Sequence, residues 1–132
     1  MSEVSLSREH KTALVVALGI LWAHAHGTPA GSVHVLIGPD SLAVLIKDAF
    51  SPAEQAATQC VEGQQIIQRY VEQLLAIVEP DLRAQIEVAT GQRVTLASVH
   101  ADTAAGHLLC FYNLGDPLER DAENQSRGGC YV

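Results

Sequence analysis

The sequence has few basic residues, and this shortage excludes one large class of function. Lys and Arg number 8 in 132 residues against 15 acidic residues, so the formal net charge is −7. The basic pair Arg8 and Lys11 is split by Glu9. Because nucleic-acid phosphates are bound through clustered Lys and Arg, we expect no nucleic acid among the partners.

Cysteines are few and have no regular spacing. Cys60, Cys110 and Cys130 are an odd number, and no two of them stand at the short spacing of a zinc or redox motif. A disulfide framework is therefore not predicted, and a reducing cytoplasm is the expected location. Cys60 and Cys110 fall at apolar positions, where they are expected to pack as small hydrophobic side chains.

Long apolar runs, phosphate loops and catalytic motifs are also missing. The apolar run Ala13–Ala23 is shorter than the ~20 residues that cross a bilayer. The turn Gly38-Pro39-Asp40 lacks the Gly and Lys pattern that cradles a phosphate. No motif names a reaction, so the sequence predicts no catalytic residue and no cofactor.

What the chain does contain is a well-marked helical centre. Ser51 and Glu54 stand at the spacing of a capping box, with Pro52 at the first helical position. An apolar stripe at helical spacing follows and predicts a long helix. Pro80 is expected to interrupt it, and a shorter helix then runs to Gly91.

Other segments predict one more helix and four strands. A first helix starts after Ser5 or Ser7 and ends near Ala25, and it is apolar on most sides. We expect such a helix to be buried, and a second subunit is one candidate to cover it. β-Branched and aliphatic segments predict two hairpins, with a phase slip before Val99 in the third strand. The predicted strands are 32–37, 42–46, 93–100 and 107–114.

The order of these elements predicts the fold class. It is helix, β-hairpin, long helix plus short helix, β-hairpin, which gives an α+β domain over residues 1–114. We expect a four-stranded, mainly antiparallel sheet with the helices on one face. Residues 115–132 are polar and predict a flexible C-terminal tail.

Short motifs at the borders of these elements resemble one family. They are Phe50–Glu54, Gly63, Gly91–Val94, Val99–Asp102 and Phe111–Leu114. Together they are similar to the YbcI-like family of small bacterial proteins, which is also called the MpsC domain. The similarity extends over roughly residues 8–114.

The resemblance implies a modest role. The family is soluble, has no established reaction, and is associated by gene neighbourhood with membrane proteins of the inorganic-carbon uptake type. It takes its second name from a proposed cation-translocating, membrane-potential-generating system. We therefore expect a non-enzymatic accessory or regulatory binding protein, cytoplasmic or held at the inner membrane through a transporter subunit. A homo-oligomer, with a dimer favoured, is expected from the first helix.

One departure from the family falls in the loop after that helix. Family members carry a Gly-Arg-Gly-Pro-like loop, whereas this chain has His26, Gly27, Thr28 and Pro29. If the arginine binds an anion or an acidic partner in relatives, His26 is the candidate replacement, with a charge that depends on pH. These four residues are the first candidate ligand or partner loop.

The second candidate lies at the turn between the last two strands, with His100, Asp102 and His107. His100 and Asp102 with the thiol of Cys110 also suggest nucleophilic catalysis. However, Cys110 is expected to be buried and inert, and Asp at the start of a turn commonly bonds its own backbone.

A metal site is the remaining use of the histidines. His26, His34, His100 and His107 are the candidate ligands, but none stands in the tight paired spacing of a zinc site. No metal site is therefore predicted. Two alternatives to the accessory role stay open: a small metal-binding or catalytic domain using these histidines, and a subunit that builds a structural assembly through its sheet edges.

Overall fold

The helices and strands follow the predicted order. The computed structural model describes residues 7–117. Its elements are α1 (Arg8–His26), β1 (Ser32–Ile37), β2 (Ser41–Lys47), α2 (Pro52–Ala57), α3 (Val61–Thr90), β3 (Gln92–Asp102) and β4 (His107–Pro117). The strands form one sheet in the order β1-β2-β4-β3, and every neighbouring pair is antiparallel. Helices α1 and α3 pack on this sheet and on each other. The predicted α+β class is confirmed.

One face of the sheet forms the floor of the core. Val35, Val44, Cys110 and Val99 lie opposite one another across the four strands. Side chains on alternate strand residues share a face, so the neighbouring rows point the same way. The helices add large apolar side chains from above, and their fully buried members are Leu18, Trp22, Val71, Leu82 and Ile86.

The break between the central helices lies elsewhere than predicted. Helix α3 continues through Pro80, so the expected interruption there is wrong. Proline removes one hydrogen bond from the helix, but Val78 and Leu82 on either side are buried and hold both turns against the core.

The actual break follows Ala57, where the hydroxyl of Thr58 donates to the Gln55 carbonyl at 2.7 Å and closes α2. Cys60 then caps α3, with its sulfur accepting from the Gly63 N–H at 3.4 Å. Cys60 is exposed. The prediction that it packs as a buried apolar side chain is therefore wrong.

The last two strands are longer than predicted. Gln92 pairs with Pro117, so β4 continues three residues beyond the expected domain end at Leu114. The register shifts between Leu96 and Ser98. Such a bulge changes which side chains face the core, and it accounts for the phase slip predicted before Val99. The rest of the predicted tail, including Cys130, lies outside the described residues.

Candidate functional site

His26 lies at the end of α1, and its side chain is buried. The helix stops there because Gly27 adopts a left-handed φ of 97°, and its N–H donates to the Ala23 carbonyl at 2.9 Å. One turn earlier, Trp22 stacks on the imidazole with ring centroids 4.8 Å apart and an interplanar angle of 17°. The His26 side chain is only 1% exposed.

Both ring nitrogens of His26 have partners. Nε2 lies 2.7 Å from Oε1 of Glu54. Nδ1 lies 2.9 Å from the Thr28 hydroxyl and 3.2 Å from the Thr28 carbonyl oxygen. Nε2–H can donate to Glu54 whether the ring is neutral or protonated. In the neutral ring, Nδ1 carries no proton and accepts from the Thr28 hydroxyl. In the protonated ring, Nδ1–H donates to the Thr28 carbonyl oxygen. Either protonation state is therefore satisfied in the same geometry.

Glu54 joins two elements through one oxygen atom. Its Oε1 also accepts from the Ser51 N–H at 2.9 Å, while the Ser51 hydroxyl accepts from the Glu54 N–H at 3.2 Å. This is the capping box at the start of α2. We call Trp22, His26, Thr28, Ser51 and Glu54 the His26–Glu54 junction, because they tie the end of α1 to the beginning of α2.

The junction is a structural joint and offers no ring nitrogen to a ligand. Tyr70 borders it, with its ring centroid 6.5 Å from that of His26. Partial burial, followed by the negative charge of Glu54, raises the pKa of the Tyr70 hydroxyl. In the predicted partner loop, Gly27 and Pro29 are exposed, while the Thr28 hydroxyl is hydrogen-bonded to His26.

The second predicted group closes the turn between β3 and β4. Asp102 and His107 lie opposite each other at the end of the hairpin. The Asp102 carboxylate accepts from the Ala105 N–H at 3.1 Å, and its carbonyl accepts from the Gly106 N–H at 2.8 Å. His107 Nδ1 accepts from the Asp48 N–H at 3.4 Å. These contacts shape the turn between the two strands.

The four histidines suggested as metal ligands are not brought together. His34 and His100 lie in one row across the sheet, but Leu45 and Leu109 stand between them. Three strand spacings of about 4.8 Å separate the two backbones by about 14 Å. His26 is already engaged by Glu54. Within residues 7–117, no group of three or more His, Cys, Asp or Glu side chains could hold a metal ion.

Cys110 is a buried thiol beside Glu79 and Tyr112. Burial, and then the charge of Glu79, raises its pKa to about 11. The thiol and the Tyr112 hydroxyl affect each other's pKa, although they form no hydrogen bond of acceptable geometry. A protonated, enclosed sulfur is a poor nucleophile.

This environment predicts a clear difference between the two described thiols. At about pH 8, a pKa near 11 leaves Cys110 ~100-fold less thiolate than an ordinary cysteine. In a Cys130→Ser variant of the full chain, we expect Cys60 to be modified quickly by iodoacetamide and Cys110 only upon unfolding. Mass spectrometry of peptides after labelling measures both. Labelling of Cys110 at a rate comparable to that of Cys60 would contradict its enclosure.

Two exposed surfaces carry large apolar side chains. On the outer side of the helical layer, α3 exposes Ile66, Tyr70, Ile77 and Val88, of which Ile77 is 72% and Val88 79% exposed. Their spacings of 4, 7 and 11 residues place them on one side of the helix. Together with the exposed Val16 and Ile20 of α1, we call them the outer helical face. On the sheet side away from the helices, Leu36 and Phe111 are exposed.

Comparison with known proteins gives one match. None of the helices in residues 7–117 has both the length and the apolar character needed to cross a membrane. Searches of curated proteins and of solved structures found no significant match. A family model described as "Na+-translocating membrane potential-generating system (MpsC)" matches residues 23–112, from the last turn of α1 to the middle of β4. Because this match extends over more than half of the chain, the protein belongs to the MpsC family.

Proposed function

We propose that this protein is a non-enzymatic accessory subunit of a cation or inorganic-carbon membrane transport system, and that it acts as a dimer. The family description supports the link to ion translocation. The outer helical face is the observation that carries the proposal, since a chain with that much exposed apolar surface on its helices gains by covering it.

The stripe on α3 suits pairing with a second copy of itself. Ile77 lies 11 residues from Ile66 and 11 residues from Val88. An 11-residue spacing follows a helix almost straight along its axis. A two-fold axis at Ile77 would thus place Ile66 against Val88 of the partner subunit, and Val88 against Ile66.

Charge does not oppose this pairing. The chain is acidic overall, which disfavours self-association. Between the apolar residues of α3 stand Gln73 and Ala84, which are uncharged, and the exposed Asp81, four residues after Ile77. A two-fold axis at Ile77 would place Asp81 against Gln73 of the partner subunit and not against a second Asp81. The stripe from Ile66 to Val88 is about 33 Å long at the rise of an α-helix, enough for a continuous helix–helix contact.

The dimer is tested by light scattering on size-exclusion fractions. We expect the wild type to elute as a dimer and Ile77→Glu as a folded monomer, because the substitution places two like charges together at the two-fold axis. Leu36→Glu, at a similarly exposed apolar residue on the sheet, should remain dimeric. A monomeric wild type, or dissociation by Leu36→Glu with Ile77→Glu unaffected, would refute the assignment of the interface.

The accessory role is tested by complementation in the source organism. Deletion of the chain should lower a sodium-dependent membrane potential, as measured with a voltage-sensitive dye. His100→Ala and Asp102→Ala variants should restore it fully, since no catalysis is assigned to them, while Ile77→Glu should not. Loss of complementation by the folded His100→Ala or Asp102→Ala variant would instead support an enzyme.

A further inference from the structure

A groove lies between α3 and the edge strand β3. It has a volume of about 460 Å³. Its apolar wall includes Leu75 from the helix and Leu96 and Val99 from the strand, while Gln68, Glu72 and Glu79 contribute polar groups. The three polar residues follow one another at intervals of 4 and 7 along α3, so they line one side of the helix.

Glu79 is a buried carboxylate with one free oxygen. The residue is 8% exposed, although it belongs to a type that is rarely buried unless paired. Its Oε1 lies 3.5 Å from Nη2 of Arg83, which is longer than an ordinary hydrogen bond. Its Oε2 is buried and has no hydrogen-bond partner.

The hydroxyl of Tyr112 is a second buried group without a partner. Tyr112 is 1% exposed, and its hydroxyl oxygen has no hydrogen-bond partner. It lies close enough to Glu79 and Arg83 for both charges to affect its pKa, which burial raises most strongly. On the sheet, Tyr112 pairs with Leu96, a residue of the groove wall.

Two unpartnered oxygens beside an apolar groove define the chemistry of an occupant. A buried polar group without a hydrogen bond destabilises the fold, and native proteins retain few of them. The carboxylates of Glu72 and Glu79 disfavour an anion. An ammonium group carries three N–H donors and no acceptor, which matches the Glu79 carboxylate and the Tyr112 oxygen.

We propose that the α3–β3 groove binds an alkylammonium group, with the cation at Glu79 and Tyr112 and the methylene chain along Leu75, Leu96 and Val99. A free aliphatic amine and the Lys side chain of a partner protein share this chemistry. Arg83 pairs with Oε1 of Glu79, and Arg69 stands at the neighbouring end of the groove with Gln68 and Glu72. Oε2 is itself enclosed, so the Glu79 side chain has to rotate for this oxygen to contact the cation.

The site is tested by titrating the ¹⁵N-labelled full chain at constant ionic strength and recording amide shifts. The probes are n-pentylamine hydrochloride, 1-pentanol, sodium chloride and the peptide acetyl-Gly-Lys-Gly-amide. We expect saturable shifts around Ala76, Glu79 and Val99 with the amine at low millimolar concentration, and none with pentanol or sodium. Tighter binding of the peptide than of the amine assigns the site to a partner's Lys, and the reverse order assigns it to a free amine.

Variants separate this site from nonspecific attraction to an acidic protein. Glu79→Gln should weaken amine binding by roughly tenfold or more, because a charge-assisted hydrogen bond is lost. Tyr112→Phe should weaken it less and leave the fold intact, since it removes a hydroxyl that has no partner. Glu62→Gln, outside the groove, should change nothing.

The proposal is overturned if pentanol or sodium produces the same shifts, if the amine produces none, or if folded Glu79→Gln and Tyr112→Phe both bind like the wild type. The inference does not depend on the proposed dimer, because the residues of the groove are distinct from those of the outer helical face. Failure of one test therefore leaves the other standing.

Discussion

Replacing Gly63 by alanine should lower the free energy of unfolding by about 3 kcal/mol, at the upper end of what overpacking usually costs. A Cβ atom at this position would lie 1.7 Å from the carbonyl oxygen of Ala57 and 2.7 Å from its carbonyl carbon. Both are backbone atoms, so no side-chain rotation relieves the clash. Alanine favours a helix by about 1 kcal/mol over glycine, which is too little to offset such an overlap.

The strain acts on the connection between α2 and α3. Ala57 is the last residue of α2, and Gly63 lies in the first turn of α3. To admit a methyl group, α2 must move away, and Glu54 on the same short helix then moves relative to His26. Urea unfolding followed by the fluorescence of Trp22, the single tryptophan, measures the loss.

Gly19 provides a matched control within the same chain. It lies in the interior of α1, and a Cβ there would meet only Cγ2 of Val33 at 3.7 Å, an ordinary contact. Gly19→Ala should therefore raise the free energy of unfolding by about 0.5–1 kcal/mol through helix propensity. Changes of the same sign in both variants would show that the approach of Gly63 to Ala57 does not control the stability.

Gly63 also explains why the sequence predicted the fold better than it predicted the helix boundaries. Capping residues and alternating strands are local signals, and they gave the element order correctly. The break after Ala57 has no Gly or Pro within Thr58–Cys60, because it arises from a side-chain hydrogen bond of Thr58 and the close packing of two helices. Pro80 carries the usual local signal of a break, but packing of Val78 and Leu82 overrides it.

The candidate sites depend even more on tertiary contacts. His26 and Glu54 were each singled out in the sequence, one as a loop histidine and the other as a cap. They are 28 residues apart, and only the return of the first hairpin brings them together. Nothing in the sequence marks Glu79 as a site residue, because an acidic residue on a helix is normally solvated. Its burial follows from where α3 crosses the sheet.

Glu54→Ala should also lower the free energy of unfolding by about 3 kcal/mol, because it removes two separate functions of one carboxylate. Loss of the capping box costs about 1 kcal/mol. The remainder arises because Nε2–H of His26 is left buried without an acceptor, which costs about 1–3 kcal/mol. Glu54→Gln should cost less, since an amide oxygen can still accept from His26.

Ser51→Ala and His26→Ala separate the two functions. Ser51→Ala disturbs the cap alone and should cost about 1 kcal/mol, well below Glu54→Ala. In a double-mutant cycle, Glu54→Ala combined with His26→Ala should cost about 1–2 kcal/mol less than the two single losses added, because groups in direct contact couple. If Ser51→Ala lost as much free energy of unfolding as Glu54→Ala, or if the losses in the cycle were additive, the His26–Glu54 contact would contribute nothing to stability. Strong coupling would instead establish that this contact holds α1 against α2.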